Sequence, residues 1–241
     1  MKLNNVKRNL VLGILFFLPV VFLLFLYPST HNYNPLDVVN QNILELDQFS
    51  THSNEPVLLE NHITILGFLG ENPLNHAVAS SNIKELVYDK FKGFKRFQII
   101  IVVPNGTEEQ IEDLKLKINN YEDPKFWHYV FGQPNDIQYL YNSLKSKSVL
   151  DTDLSTEEIF IIDQDLNQRG RLDDRNKKEL ETNQSPYPLY SYNSIDIDDI
   201  KNKMSDDLRV LFTEYRQKRK GTFDSSERRA SDLNFKDEQK N

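Results

Sequence analysis

Few side chains in this chain are able to do chemistry, and they are dispersed. The sequence has 5 histidines, 2 methionines and no cysteine. The absence of cysteine excludes disulfides, thiol nucleophiles, zinc–thiolate sites and iron–sulfur clusters together. The histidines are His31, His52, His62, His76 and His128. No two stand at the i,i+4 spacing that sets a pair of imidazoles on one helix face as metal ligands. His31 and His52 lie in loop-like text. His76 is the sharpest candidate, because it falls in the first turn of a helix that follows a buried strand. Soft metal ions take thiolate or thioether ligands, whereas imidazole suits borderline divalent ions. Met1 and Met204 are too few for a thioether site. Asp163, Asp165, Asp173 and Asp174 lack the spacing and the glycine of a calcium loop, and turn chemistry explains them. Ser155 and Ser185 have no nucleophile-elbow context. With 8 glycines in the chain, no Gly-rich phosphate loop is present. A net charge of −7 argues against general nucleic-acid binding.

The element that must position His76 is the stretch Ile63–Ala77, ITILGFLGENPLNHA. An apolar strand, Ile63–Leu69, runs into Gly70, then a polar turn with Asn72 and Pro73, then a helix. A helix N-terminus lowers the pKa of a thiol placed on it, and in thioredoxin-like proteins this junction holds the reactive cysteines. Here the junction is intact and the thiols are absent.

Around it the pattern predicts alternating strands and helices, hence a layered α/β domain. The chain is 39% hydrophobic and 11% aromatic, enough for an ordinary core. Ile43–Phe49 and Val57–Leu59 read as a hairpin ahead of the main sheet. Ile63–Leu69 and Phe97–Val103 (FQIIIVV) read as strands covered on both faces. Leu74–Phe94 reads as a helix, as does the run from an N-cap at Thr107 to about Asn120. Phe126–Phe131 is a third main strand and Asn135–Lys145 an amphipathic helix. Ile159–Asp163 (IFIID) and Arg169–Asp174 form a hairpin across Gln164–Asn167, which makes the sheet mixed. Residues 175–193 are polar and read as a surface insertion. Ile195–Arg219 is a helix whose Ile197, Ile200, Met204, Leu208, Leu211 and Tyr215 form one stripe.

Outside this domain, residues 42–220, the chain opens with Lys2, Lys7 and Arg8. The apolar run Leu10–Tyr27 follows, ~27 Å long as a helix against a hydrocarbon core of ~30 Å. It reads as a transmembrane anchor (10–27) with residues 1–9 cytoplasmic. The rest would then be extracytoplasmic, in the periplasm if the source is a Gram-negative bacterium. The alternative is a long cleaved signal, for which residues 28–32 offer no A-x-A-like site. Residues 28–41 read as a linker, and residues 221–241, polar and charged, as a disordered tail.

Several segments together resemble the SCO/SenC family, membrane-anchored thioredoxin-like copper proteins of cytochrome c oxidase assembly. The segment Gly70–His76 stands where that family has its Cys-Pro-x-x-Cys-Pro-type motif. Val102–Thr107 (VVPNGT) resembles its V-D-P-x-x-D-T stretch, and Trp127–Pro134 (WHYVFGQP) its W-x-x-L-T-G-x-P segment. Phe160–Gly170 (FIIDQDLNQRG) resembles its F-L-I-D-x-x-G-x-I-R-G hairpin, and Leu211–Lys218 the end of its last helix. The resemblance implies a thioredoxin-like mixed sheet flanked by helices, and an extracytoplasmic setting in respiratory oxidase biogenesis. It also places Asn72 and His76 at the two cysteine positions and Ser155 near the histidine ligand. Val103 stands where the family has an aspartate. Thiol redox chemistry and the family's copper site therefore do not carry over. The expected role is a non-catalytic binding or assembly module without cofactor. The alternative is copper handling in which His76 and other histidines replace the thiols.

Two surface features remain. Tyr187, Tyr190 and Tyr192 in the insertion suit contact with a protein partner in the envelope, or else they seal the insertion onto the domain. Arg216, Lys218, Arg219 and Lys220 suit the dipole at a helix C-terminus. Contact with anionic headgroups or an acidic partner is the alternative for that cluster.

Overall fold

The structure is a computed structural model that describes residues 2–26, 34–52, 55–118 and 124–221. His31, residues 28–33 of the expected linker and all but the first residue of the expected tail lie outside the described residues. The chain divides into two units, Met1–Tyr33 and Asn34–Asn241. In the first, helix α1 spans Lys2–Leu26 with Pro19 inside it. Its described side chains are those of Lys7, Arg8 and residues 10–24, which is shorter than the apolar run in the sequence. Among the described residues no helix is long and apolar enough to cross a membrane.

The second unit is built on one mixed sheet. Its strands are β1 (Asp37–Asn40), β2 (Ser50–Thr51), β3 (Ile63–Leu69), β4 (Phe97–Pro104), β5 (Trp127–Gly132), β6 (Ser155–Ile162), β7 (Gln168–Gly170) and β8 (Tyr192–Asn193). They lie in the order β1-β7-β6-β3-β4-β5-β2, with β8 added beside β6. The pairs β3–β4 and β4–β5 are parallel, and the other pairs are antiparallel. Every residue of β3 and β4 is buried, because helices or loops cover both faces.

Alternate side chains feed two clusters, as a strand's period of two requires. Ile65, Ile99 and Ile101 face one side. There they meet a helical run of residues 73–91, α4 (Glu108–Lys117) and α7 (Ser205–Lys220). That run consists of a 3-10 turn (Pro73–His76), α2 (Ala77–Ile83), a π-turn (Lys84–Tyr88) and α3 (Asp89–Phe91). A π-turn, Asp199–Met204, also leads into α7. Leu66, Phe68 and Ile100 face the other side, against Ile137, Leu140 and Tyr141 of α5 (Pro134–Asn142). No member of either cluster comes from the first unit, so the second carries its own core.

Three expectations change at the edges. β1 lies inside the stretch read as linker and pairs with β7, with Val38 opposite Arg169. The hairpin expected over residues 43–59 does not form. Ile43, Leu46 and Leu59 are buried as loop residues, and only Ser50 and Thr51 pair, with Phe131 and Val130. The carboxylate of Glu45 takes the backbone N–H groups of Leu46, Leu59 and Glu60, so a side chain replaces the hairpin's ladder. Thr107 is the N-cap residue of α4 as expected, but its side chain makes no capping bond, since its hydroxyl donates backwards to the Pro104 carbonyl at 2.8 Å.

A buried charge ties the sheet to the last helix. Arg169 on β7 is 1% exposed. Its guanidinium donates to Asp163 at 2.9 Å, to both carboxylate oxygens of Glu214 on α7, and to the Leu36 carbonyl at 2.8 Å. Burial opposes its charge, but Glu214 and then Asp163 outweigh that and push its pKa up. Asp163 also accepts the N–H groups of Asp165 and Asn167, which closes the β6–β7 turn.

At the other side of the sheet, β5 is covered by β2 over two residues only. His128 on β5 is half-buried, and burial holds its imidazole below the ordinary value. The charge of His62 lowers it further, and Glu55 opposes.

Two predictions follow from these placements. Arg169→Met leaves two buried carboxylates without their cation, so it should cost ~3–5 kcal/mol in chemical denaturation. Lys218→Ala removes only the partly exposed partner of Glu214 and should cost about 1 kcal/mol or less. Equal costs would show that the guanidinium is not the keystone. His128 gives a pH signature. Above its ordinary value of 6.5 the imidazole is neutral in both states and contributes nothing. As pH falls through that value the unfolded chain takes a proton that the folded chain resists, so stability drops. The fall in urea midpoint from about pH 7.5 to about pH 5.5 should be smaller in His128→Gln than in the wild type.

Candidate functional site

The junction after β3 is fixed by backbone geometry. Gly70 has φ +65°, and a Cβ built there would stand 2.4 Å from the Asp153 carbonyl oxygen and 2.8 Å from Ser155 Cβ. Only glycine meets both conditions. The next residue, Glu71, donates its N–H to that same carbonyl at 2.8 Å. Leu69 pairs with Ser155 of β6, so Ser155, remote in sequence, forms the wall beside Gly70. Its hydroxyl is already engaged, donating to Asp153 Oδ1 at 2.6 Å.

Asn72 is exposed and opens the 3-10 turn, its carbonyl accepting the N–H of Asn75 at 3.0 Å. Pro73 takes the first position of that turn, where its missing N–H costs nothing. His76 ends the turn half-buried and makes no side-chain capping bond to α2. The fold thus brings Ser155 against Gly70–Glu71 and sets Asn72 and His76 on the turn that follows. An amide, an imidazole and a hydroxyl already bonded to a carboxylate do not fit copper(I), which needs soft sulfur donors. Among the described residues no group of three His, Asp or Glu is placed to hold a metal ion. Val103 is fully buried among apolar side chains, so an ionised aspartate in its place would be desolvated at high cost.

Sequence spacing kept the other histidines apart, and the fold gathers three of them. A cleft of about 550 Å³ runs along the open edge of β5 and is lined by His52, His62 and His128, with Gln98, Lys115 and Trp127 also in its wall. His62 donates from Nδ1 to the Glu60 carbonyl at 3.0 Å. Gln98 is held by the Leu58 carbonyl at 2.7 Å and the Thr64 hydroxyl at 2.9 Å. The one signal that relates these segments is the parallel register that sets His128 beside Ile100, and a sequence read segment by segment does not contain it. His62 and the junction stand at opposite ends of β3, ~23 Å apart for seven residues of strand.

The tyrosines divide. Tyr192 is fully buried, and its hydroxyl donates to Asp207 of α7 at 2.7 Å. Burial, then Asp207, raises its pKa well above the ordinary value. It is a core residue, which corrects its reading as a partner contact. The reason is β8, which adds to β6 and turns that side chain inward. Tyr187 is 39% exposed, with its hydroxyl on Glu179, and Tyr190 is half-buried beneath Lys145.

The segment that bears them is strapped down by charge. Arg171 donates to Asp207 at 2.8 Å and to Asp174 at 2.6 Å, and Arg175 donates to Asp173 at 2.7 Å. A short helix, α6 (Lys177–Glu181), is closed by an Asn176–Glu179 capping box.

No protein-family model matches the chain, and no curated protein matches it. Solved structures do. A protein of Aquifex aeolicus VF5 provisionally assigned to electron transport matches at a TM-score of 0.50 and 12% identity, over 73% of this chain and 99% of that one. A SCO1/SenC family lipoprotein from Bacillus anthracis matches at 0.47 and 13%, over 73% and 97%. Bradyrhizobium japonicum ScoI, a structure with copper bound, matches at 0.38 and 13%, over 72% and 100%. Other structural neighbours include SCO1/SenC proteins and a thiol-disulfide oxidoreductase, and the fold that this chain shares with the Aquifex aeolicus protein is a mixed α/β sheet flanked by helices.

Proposed function

We propose that this chain is a membrane-anchored, extracytoplasmic binding and assembly module on a SCO-like domain, and that it works without thiol chemistry. The observation that carries this reading is the junction after β3. Its backbone is complete, while the positions that bear cysteines in the resembling family hold Asn72 and His76, in a chain with no cysteine at all. Without a thiolate there is neither a nucleophile for disulfide exchange nor a soft ligand for copper(I). The setting in respiratory oxidase biogenesis comes from the family resemblance. The anchored state is supported by Leu10–Tyr27, an apolar run flanked on its short side by Lys2, Lys7 and Arg8. In this reading the protein partner contacts the strapped segment through Tyr187 and Tyr190, which remain accessible where Tyr192 does not.

Three experiments test it. Alkaline carbonate extraction of membranes should leave the full chain in the pellet; release into the supernatant would remove the anchor. Affinity capture of the full chain in mild detergent should recover a protein partner. Replacing Tyr187 and Tyr190 together by alanine should cut that recovery about tenfold or more, as loss of an aromatic anchor does. Unchanged recovery would move the contact elsewhere. Titration of residues 34–241 with copper(I) and copper(II) should show no tight site of simple stoichiometry. A tight site abolished by His76→Ala would replace this reading with metal delivery through histidine.

A further inference from the structure

The last helix ends in four cations, Arg216, Lys218, Arg219 and Lys220. Alone they are a small cluster that complements the helix dipole. The fold doubles it. A second group of four, Lys90, Lys92, Lys95 and Arg96, lies in the seven residues that lead into β4. Phe94 of this segment stacks on Phe212 of α7, ring centroids 4.0 Å apart and planes 15° from parallel. The two basic stretches, more than a hundred residues apart in sequence, thus meet on one face.

Between them is a shallow cleft of about 100 Å³ whose polar wall is Lys95, Arg96, Gln164, Tyr215, Arg216 and Arg219. No carboxylate is among its described lining residues. Arg96 is steadied by Gln164 at 3.0 Å. The acids beside it are engaged: Asp165, exposed at the edge of the cleft, accepts the Tyr215 hydroxyl at 2.9 Å, Asp89 pairs with Lys84 and Lys92, and Glu214 is buried against Arg169 and Lys218. Phe94 stays 37% exposed at the rim. In a chain of net charge −7 this concentrates positive charge, with an exposed ring in its midst, on a single face.

The position of the face matters as well. Leu36, the first residue of the unit's core, is held by Arg169, and Arg169 holds Glu214 on α7. The chain therefore comes into this unit beside the turns that carry Arg216 and Lys218.

We propose that the surface formed by Lys90–Arg96 and Arg216–Lys220 binds an anionic lipid bilayer, with the cations on headgroup phosphates and the Phe94 ring at the interface. Clusters of four to eight basic residues next to an apolar side chain suit this chemistry. An acidic protein face has similar charge, but it gives Phe94 no apolar interior to enter. The proposal adds to the anchored reading a second contact with the same membrane, and its test does not depend on the anchor.

The test uses residues 34–241, which carry their own core and lack α1. They should co-sediment with vesicles of phosphatidylglycerol and phosphatidylcholine in equal parts. They should not do so with phosphatidylcholine alone, and raised salt should release them, since screening shortens at high ionic strength. The variant with Lys95, Arg96, Arg216 and Arg219 all changed to glutamate alters only exposed side chains. It should lose binding about tenfold or more while its unfolding midpoint stays near that of the wild type. Lys145→Glu with Lys147→Glu, distant from the face, should bind normally. Phe94→Ser should weaken binding with a smaller salt dependence than the charge variant shows. Equal binding to neutral vesicles, or full binding by the fourfold variant, would overturn the proposal. Capture by polyglutamate without capture by vesicles would overturn it too and assign the face to an acidic protein. A chain released by carbonate whose domain still binds anionic vesicles would break the anchor reading and leave this one standing.

Discussion

The buried guanidinium of Arg169 is the constraint on which the second unit's assembly depends. A charge withdrawn from water is costly unless it is paired and hydrogen-bonded; here Nε alone of the guanidinium nitrogens has no partner. Arginine is suited to this because its donors form a rigid planar fork. Here the fork reaches Asp163 at the β6–β7 turn, Glu214 on α7 and the Leu36 carbonyl ahead of β1. Three segments far apart in the chain are set at hydrogen-bond length from one group. A change in the angle of α7 would strand Glu214, and a change in the turn would strand Asp163. Apolar packing of Leu208 and Leu211 would tolerate a small slide of the helix, and the ion cluster does not.

A second consequence is where charge appears on the outside. Because Glu214 faces inward, Arg216 and Arg219 face out, and the α7 terminus presents cations there. The stacked pair Phe94 and Phe212 then brings the segment before β4 alongside. An acidic chain thereby acquires one basic pole through the pairing of a buried acid with a buried base. The same logic on the far side of α7 holds residues 171–194 down, through Asp207 with Arg171 and Tyr192.

The parts of this fold legible in the sequence are those set by local apolar pattern. Ile63–Leu69 and Phe97–Val103 are mostly apolar runs, and both are fully buried strands with nearly the expected limits. The stripe Ile200, Met204, Leu208, Leu211 predicted the last helix and its buried face. What could not be read was set by partners distant in the chain. Val38 and Asn40 become strand because β7 offers an edge, and the linker text around them carries no sign of it. Ile43–Phe49 alternates like a strand, yet Glu45 satisfies backbone groups that a second strand would have taken. Tyr192 reads as a loop tyrosine until β8 turns it toward Asp207. In the candidate site, the places of Asn72 and His76 followed from the strand and the turn. The engagement of Ser155 with Asp153, and the meeting of His52, His62 and His128 in one cleft, required the register of the sheet.

The junction after β3 is held by its backbone. Gly70 is held by the Asp153 carbonyl, by the β6 backbone and by its own positive φ. Leu154 beside Ser155 also has a positive φ, 65°, a conformation that costs a non-glycine residue energy and persists only where neighbours enforce it. None of these constraints involves a thiol. Asn72 and His76 lie on the turn that follows, so these backbone constraints do not depend on which side chains the turn carries. A loop whose shape is fixed by buried backbone contacts, and whose outward side chains are unconstrained, is free to change its chemistry while it keeps its geometry.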